Sequence, residues 1–210
     1  MPGLTIISWW ISILACFGQT LAKMEIKSLT INYSFEQGSK VSINGTTNVK
    51  DFLCNSKKLF ARQNAELKQE DSENTSFNNA TLDFNISSLN CGNNGMNKDM
   101  MKAMKADRYP VISVKLIDAK IDQGKTLSLS GWTTVKINIS ISMAGSTKND
   151  FIIVQGKQTG NSLYRFVGQY SMLMTDFGIT PPTALFGMVK VGDGIIVKFD
   201  LIIAATAVSN

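Results

Sequence analysis

Apolar and polar side chains alternate along most of the chain, a period of two that is typical of strands with one buried and one solvated face. The longest regular run is 135–143, in which the apolar positions are Val135, Ile137, Ile139, Ile141 and Met143. Comparable patterns predict strands in 26–35, 41–54, 80–89, 111–121, 151–156, 164–174 and 195–204. About eight or more such strands predict an all-β fold, built as an antiparallel closed barrel or a sandwich.

Three segments between these strands carry specific expectations. The turn at 37–39 predicts that the strands on either side of it form an antiparallel pair. Residues 55–80 are rich in Lys, Gln, Glu, Asn and Ser, and we interpret them as a frayed strand end and an exposed loop. A second turn at 123–125 predicts that strand structure continues through Leu127 and Leu129.

The period changes between residues 96 and 107. Met96, Met100, Ala103 and Met104 follow a helical spacing, and Pro110 prevents the helix from continuing. The sequence therefore predicts one short α-helix. Four methionines in nine residues at this spacing are more typical of adaptable packing than of a soft-metal site.

The first 22 residues have the character of a targeting segment, because residues 4–17 are apolar and uncharged and the first charged side chain is Lys23. We expect a signal peptide over 1–22, cleaved after Ala22, and a mature domain over 23–210 that is periplasmic or secreted. In an alternative interpretation residues 13–16 form a lipobox, and a lipid on Cys16 anchors the protein to a membrane. The apolar run is shorter than the roughly 20 residues of a spanning helix, so no stable membrane span is predicted.

Composition excludes several kinds of chemistry. Histidine is absent, which removes Ser/His/Asp and Cys/His catalysis and the commonest metal ligand. The net charge of +5 comes from lysines scattered among acids and amides. That distribution is typical of a solvated basic surface, and we expect neither a nucleic-acid partner nor a metal.

The cysteines beyond the targeting segment are Cys54 and Cys91. An even pair in an exported chain predicts an intramolecular disulfide, and two separate thiols are the alternative. The disulfide would contribute roughly 3–4 kcal/mol by restricting the unfolded chain.

Four stretches that occur in order carry a resemblance to a known family: 45–52, 96–112, 124–131 and 174–193. The most specific is Thr-Asp-Phe-Gly-Ile at 175–179, followed by Pro-Pro-Thr-Ala-Leu at 181–185 and Val-Gly-Asp at 191–193. Together they resemble the YceI-like family of lipocalin-like bacterial proteins over most of the mature chain. The chain departs from the family where it has Lys50 instead of a common His, and Trp132-Thr133-Thr134 instead of a Thr-Lys pair.

The resemblance implies an exported, antiparallel lipocalin-like barrel of about eight strands. It also implies a long apolar ligand in the lumen, a polyisoprenoid or an isoprenoid quinone-like lipid, and no other cofactor. Such a ligand needs a continuous apolar lining rather than a set of charges. The residues expected to line the site are Phe84, Ile86, Val114, Leu116, Ile137, Ile139, Ile141, Met172, Met174, Phe177, Phe186, Val197, Phe199 and Leu201.

Two alternatives to a lipid carrier remain open at this point. The same side chains could fill a dry core in a secreted structural or adhesion domain. An enzyme would need poised titratable groups, and Asp176 and Asp193 are the only acids in 174–193. We interpret Asp176 as an acceptor of backbone hydrogen bonds that shapes its loop, and Asp193 as part of a turn before Gly194. We therefore expect no catalysis.

The loop between the last two strands is too apolar for an ordinary exposed connection, since it contains Phe177, Ile179 and Phe186. We expect it to fold over the mouth of the barrel or inward upon it, and so to hide these side chains from water.

Overall fold

A computed structural model describes residues 27–56, 63–184 and 186–208. The predicted signal peptide and Cys16 lie outside these residues. The helical segments of the described part are α1 (Asn94–Ala103) and two 3-10 turns, Ile86–Ser88 and Met174–Phe177. The strands are β1 (Lys27–Phe35), β2 (Lys40–Thr47), β3 (Phe52–Ser56), β4 (Gln63–Gln69), β5 (Asn74–Asn78), β6 (Thr81–Asn85), β7 (Leu89–Asn90), β8 (Val111–Ile121), β9 (Thr133–Met143), β10 (Ser146–Gly160), β11 (Leu163–Leu173), β12 (Thr183–Ala184) and β13 (Val189–Ala207).

Eight of these strands form a closed ring in the order β1, β4, β5, β8, β9, β10, β11 and β13, and β13 returns to pair with β1. All of these pairings are antiparallel, and the closing ladder runs from Ile31 opposite Ala207 to Phe35 opposite Ile203. Closure satisfies backbone groups that an open sheet would leave at its edges. The expected antiparallel barrel of about eight strands with one short helix is confirmed.

The first two strands do not pair with each other, so the hairpin expected at 37–39 is wrong. Both β1 and β2 pair with β13, and they follow one another along it in the same direction. At the break, the Ser39 hydroxyl accepts a hydrogen bond from the Ile202 amide (2.9 Å) and donates one to the Ile202 carbonyl (3.1 Å). These two hydrogen bonds take the place of backbone ladder bonds. β1 and β2 therefore form one long strand that is interrupted by a bulge.

The polar region that was expected to be a loop contains β4 and β5, so the interpretation of 55–80 is wrong for these segments. β4 pairs with β1 and β5, which makes it an integral part of the ring. β5 continues into β6 along β8, with Asn79 in a left-handed conformation (φ 60°) at the break. Asparagine is one of the few side chains that tolerate this conformation.

Of two further predictions, the strand after 123–125 is wrong and the short helix is confirmed. The segment 122–132 has no strand structure, so the predicted continuation through Leu127 and Leu129 is wrong. The helix lies where its pattern predicted, and it begins after Asn93, whose side chain accepts a hydrogen bond from the Met96 amide (2.8 Å). It ends earlier than residue 107, because Lys105 adopts a left-handed φ of 53° that terminates the helix.

The connections between the long strands collect at two ends of the barrel. The helix end carries the connections 48–51, 86–110 with α1, 144–145 and 174–188, and the far end carries 70–73, 122–132 and 161–162. At the far end the ring of eight strands is complete. At the helix end β3 pairs with β2 and β7, and within the described residues it does not pair with β6.

The barrel has two apolar clusters. The larger one lies at the helix end and includes Ile86, Phe177 and Ile179 together with the last residues of β9. The smaller one is built around Tyr33 and Ala65. Full burial of a large apolar side chain contributes about 1.5–3 kcal/mol. The barrel wall is therefore held by packing at the helix end and on the side formed by β1, β4, β5 and β6.

Candidate functional site

A cavity of about 1610 Å³ runs along the inside of the barrel. All eight ring strands contribute to its wall, from Leu29 on β1 to Ala207 on β13. Its volume exceeds the roughly 300–1,000 Å³ of most ligand sites. The interior is therefore not filled by the barrel's own side chains, which argues against the dry-core alternative.

Twelve of the fourteen residues predicted to line a lipid site lie on this wall. They are Phe84, Val114, Leu116, Ile137, Ile139, Ile141, Met172, Met174, Phe186, Val197, Phe199 and Leu201. The other two, Ile86 and Phe177, are completely buried in the apolar cluster of the helix end and do not line the cavity. Contact between any of these side chains and a lipid remains a prediction.

Sequence reasoning missed the part of the wall formed by β1, β4, β5 and β10. Tyr33, Leu67, Phe77 and Val154 all line the cavity and were not among the predicted residues. A signal for β1 and β10 existed, because Ile31, Tyr33 and Phe35 alternate and β10 was recognised as a strand. On β4 and β5 the inward residues are too few among polar neighbours to form a recognisable pattern.

The first half of the 174–188 loop folds inward upon the barrel. Its 3-10 turn ends at Gly178, which takes a left-handed φ of 64° that favours glycine. The change of direction buries Phe177 and Ile179 on either side of it. This half follows one of the two expected arrangements. Phe186, in the second half, is instead fully exposed, so the expectation that it would be hidden is wrong.

Asp176 and Asp193 hold the shape of the 174–188 loop. Lys148 Nζ lies 2.7 Å from Asp176 Oδ2, and this contact holds the pKa of Asp176 below its ordinary value of 3.8. Asp193 accepts hydrogen bonds from the Thr175 amide (2.9 Å) and hydroxyl (2.6 Å). Asp193 was expected to be part of a turn, and this interpretation is wrong. It lies in an irregular part of β13 between Val191 and Ile195.

The Cys54–Cys91 disulfide is present, which confirms that prediction. It joins β3 to the residue after β7, at the place where the helix end lacks a β3–β6 ladder. Both cysteines line the cavity together with Met96 and Met100 of α1. Met100 contacts the disulfide, with its Sδ 3.6 Å from Cys91 Sγ.

Two tyrosine hydroxyls on the wall, those of Tyr33 and Tyr170, are neutral and hydrogen-bonded. Burial, with an added hydrogen bond to Asp150 Oδ2 (2.8 Å), raises the pKa of Tyr170 far above its ordinary value. Burial also raises the pKa of Tyr33, whose hydroxyl contacts Gln63 Oε1 (2.6 Å) and the Thr81 carbonyl (2.7 Å). Neither hydroxyl ionises near neutral pH, so the middle of the lumen presents uncharged groups to its contents.

The charged residues of the wall all lie at the helix end. They are Lys50, Asp51 and Asp99, and all three are exposed. The cavity therefore reaches the surface between the 48–51 connection, α1 and residues 182–188, an opening that we call the mouth. The Thr47 hydroxyl fixes the 48–51 connection, because it donates to the Lys50 carbonyl (2.8 Å) and accepts from the Lys50 amide (3.0 Å). Sequence reasoning noticed Lys50 only as a departure from the family pattern.

A closed antiparallel barrel around a large apolar cavity defines the class of lipocalin-like barrels. Within that class the chain belongs to the YceI-like domain family, whose sequence model matches residues 30–203. The start of the domain at residue 23 stays a prediction. A search of curated proteins finds no match.

Solved structures share the fold at low sequence identity. A polyisoprenoid binding domain from Saccharophagus degradans, implicated in plant cell wall breakdown, has a TM-score of 0.60 at 10% identity, covering 85% of this chain and 99% of that one. Burkholderia cenocepacia BcnA has a TM-score of 0.59 at 17% identity, covering 80% and 99%. A mutant Campylobacter jejuni YCEI protein with a monobromobimane guest has a TM-score of 0.50 at 14% identity, covering 75% and 85%.

In 27–56, 63–184 and 186–208, no helix is long and apolar enough to cross a membrane. The same ranges contain no group of three or more cysteine or acidic side chains placed to hold a metal ion.

Proposed function

We propose that the protein binds a polyisoprenoid or a similar long apolar lipid, such as an isoprenoid quinone-like molecule, inside the barrel. The observation that carries this proposal is the cavity of about 1610 Å³ with an apolar wall from all eight strands. A prenyl chain offers only hydrocarbon, and each CH2 that leaves water gains about 0.8 kcal/mol. Membership of the YceI-like family adds support.

The protein acts in this proposal as a carrier or store without catalysis. The acids of the 174–193 stretch are engaged in an ion pair and in hydrogen bonds to Thr175. Tyr33 and Tyr170 of the wall stay neutral, because their pKa values are raised. The site therefore suits retention of an intact molecule.

We place this carrier outside the cytoplasm. The apolar, uncharged start of the chain supports export. The Cys54–Cys91 disulfide supports an oxidising compartment, the periplasm or the exterior of the cell.

Native mass spectrometry of the protein purified from cells tests the proposal. We expect a bound lipid of long hydrocarbon character, identified after organic extraction. Val197→Trp fills part of the lumen, so it should reduce the lipid-bound fraction by at least about tenfold through lost volume.

The matched control is Ile196→Trp. Ile196 is the next residue on β13 and faces outward, exposed to solvent, so the same substitution there should leave the lipid-bound fraction unchanged. Melting temperatures show that both variants fold. Wild-type protein that carries no lipid and takes up no added farnesol or geranylgeraniol would refute the proposal.

A further inference from the structure

We infer that the helix end docks onto a lipid bilayer with anionic head groups, through an exposed apolar rim formed by Val49, Phe186 and Met188 with Lys50 and Lys190 beside them. The inference rests on the proposed function, because a mouth held against a bilayer lets a lipid move between membrane and lumen without crossing water. It adds a surface and a partner that lipid binding by itself does not require.

The rim is exposed to a degree that the fold does not need. Val49 is 70% exposed, Met188 is 67% exposed, and Phe186 is exposed completely. Phe186 also has a φ of 56°, which is unfavourable for a bulky side chain. Backbone strain of this kind is retained where the position of the side chain matters.

Hydrogen bonds join the two segments of the rim into one platform. The Asn48 side chain donates to the Met188 carbonyl (2.9 Å) and accepts from the Lys190 amide (2.7 Å), while the Asn48 amide donates to the Lys190 carbonyl (3.1 Å). The Thr47 hydroxyl accepts a hydrogen bond from the Val49 amide (3.1 Å). Val49 and Met188 are therefore held next to each other beside the mouth. Exposed apolar side chains grouped in this way mark an interaction surface.

The distribution of charge indicates what covers this surface. The basic residues of the helix-end connections are Lys50, Lys98, Lys102, Lys105 and Arg108, and the acidic ones are Asp51, Asp99, Asp107 and Asp176. Lys190 and Asp193, near the start of β13, add one charge of each sign. The far-end connections contain Lys125 against Glu70, Asp71, Glu73 and Asp122.

This asymmetry turns the rim toward an anionic surface and the far end away from it. Apolar side chains interspersed with lysines are the pattern of proteins that insert at a bilayer interface. A second copy of the chain fits less well, because a symmetric dimer through the rim would bring Lys50 and Lys190 of the two copies close together.

Flotation with vesicles tests the docking surface. We expect the wild-type protein to bind vesicles of phosphatidylcholine and phosphatidylglycerol, and to bind phosphatidylcholine vesicles more weakly. Met188→Asp should lower partitioning at least about tenfold, because an inserted apolar side chain becomes a charge. Lys190→Ala should lower it about fivefold, the loss of one cation at an anionic surface.

The far end supplies matched controls. Leu129 is 68% exposed, against 67% for Met188, and Lys125 is exposed as Lys190 is. Leu129→Asp and Lys125→Ala should therefore leave partitioning unchanged. All variants share one N-terminus, so residues 1–22, where retained, contribute equally to every measurement.

Three outcomes would overturn the inference. They are wild-type protein that fails to float with phosphatidylglycerol vesicles, equal losses in the rim and far-end variants, and a wild-type dimer that Met188→Asp converts to a monomer. Farnesol titration in the absence of vesicles separates this inference from the proposed function. Met188 and Lys190 do not line the cavity, so their variants should bind farnesol as the wild type does. Vesicle binding without any farnesol binding would reject the lumenal site and leave the docking surface standing.

Discussion

The strands that form the wall of the barrel are joined by different means at its two ends. At the far end, backbone hydrogen bonds join all eight ring strands. At the helix end, where β3 and β6 do not pair in the described residues, packed side chains and the Cys54–Cys91 disulfide take over this role. A ladder opens only by leaving buried polar groups without partners, whereas packed side chains open by exposing hydrocarbon.

This difference explains why one end suits exchange of a ligand. The β3–β7 ladder has two residue pairs, Asn55 with Asn90 and Ser56 with Leu89. We expect local opening to begin at this short ladder, because regions that move in binding are drawn from the less stable parts of a structure. The cavity reaches the surface between the connections of the helix end, beside the apolar rim. The proposed lipid exchange and the proposed docking surface therefore both lie at the end where the ladder is interrupted.

The largest expected effect comes from removing the central side chain of the helix-end packing. Phe177 is fully buried among apolar neighbours, so Phe177→Ala should lower the free energy of unfolding by about 3–5 kcal/mol. Urea denaturation measures this change. Phe186→Ala, the same substitution at an exposed site in the same loop, should stay within about 0.5 kcal/mol of wild type.

Farnesol affinity of the folded Phe177→Ala protein sharpens this test. Because Phe177 lies behind the cavity wall and not on it, we expect a small change in affinity beside a large change in stability. The opposite result, a stable protein that no longer binds farnesol, would show that Phe177 contacts the ligand.

Removal of the disulfide should have the next largest effect. Its two cysteines are 37 residues apart in the sequence, and the Cys54→Ala, Cys91→Ala double variant should lose roughly 3–4 kcal/mol of stability. Hydrogen exchange should accelerate first in β3, β7 and α1, while the β1–β13 ladder of the far end stays protected. Uniform acceleration around the whole ring would contradict the proposed difference between the ends.

The smallest expected effect concerns the pKa of one carboxylate at each end, Asp176 at the helix end and Asp71 at the far end. The pKa of Asp176 is lowered by Lys148, and the pKa of Asp71 is lowered first by its hydrogen bond from the Asn74 side chain. Both native pKa values lie below the ordinary 3.8. Each carboxylate therefore stabilises the fold above that pH, and the stabilisation disappears as pH falls through the native pKa.

Added salt should change the pKa values of Asp176 and Asp71 by different amounts. An exposed ion pair is screened by ions, so added salt should raise the pKa of Asp176 toward its ordinary value. The dominant contacts of Asp71 are hydrogen bonds, among them 2.7 Å contacts from the Glu73 and Asn74 amides, and its pKa should respond less. Carbon-detected NMR titration of the side-chain carboxylates at low and high ionic strength measures both. A larger response at Asp71 would reverse the assignment of causes.

The sequence predicted the strands whose inward positions are large and regular, such as β8, β9, β11 and β13, because their alternation has no competing explanation. It did not predict β4, whose buried inward residue is Ala65, nor β5, because small or isolated apolar side chains among polar ones look like a loop. Register against neighbouring strands, which sequence does not show, is what keeps these segments extended.

The false hairpin at 37–39 has a more specific cause. Phe35 lies opposite Ile203 and Lys40 opposite Asp200, so the bulge adds two residues to one strand. An even insertion leaves the inward parity of Val41 unchanged, and the apolar pattern is the same for a reversal and for a bulge. The direction of β2 depends on the contact between Ser39 and Ile202, which are distant in the sequence.

Inward-facing residues were predicted correctly on β8, β9, β11 and β13, where the alternation of the strand determines which side chains face the cavity. They were predicted poorly in the 174–188 loop. Val197, Phe199 and Leu201 face inward because they share one face of β13. Phe177 and Phe186 belong to a loop, where no period fixes direction, and they occupy opposite environments. The mouth brings together three connections that are far apart in the chain, so its charged residues could not be found from local patterns.

The ladder between Ile31 and Ala207 also sets the order in which the molecule is assembled. Its two strands are separated by almost the whole domain, so the loop that they close is the longest in the fold and its closure is the most costly in entropy. High contact order of this kind is typical of chains that fold in milliseconds to seconds. Hairpins such as β9–β10 involve short loops, whereas the ring of eight strands is complete only once β13 has paired with β1. We therefore expect the proposed lipid to enter the lumen after this pairing.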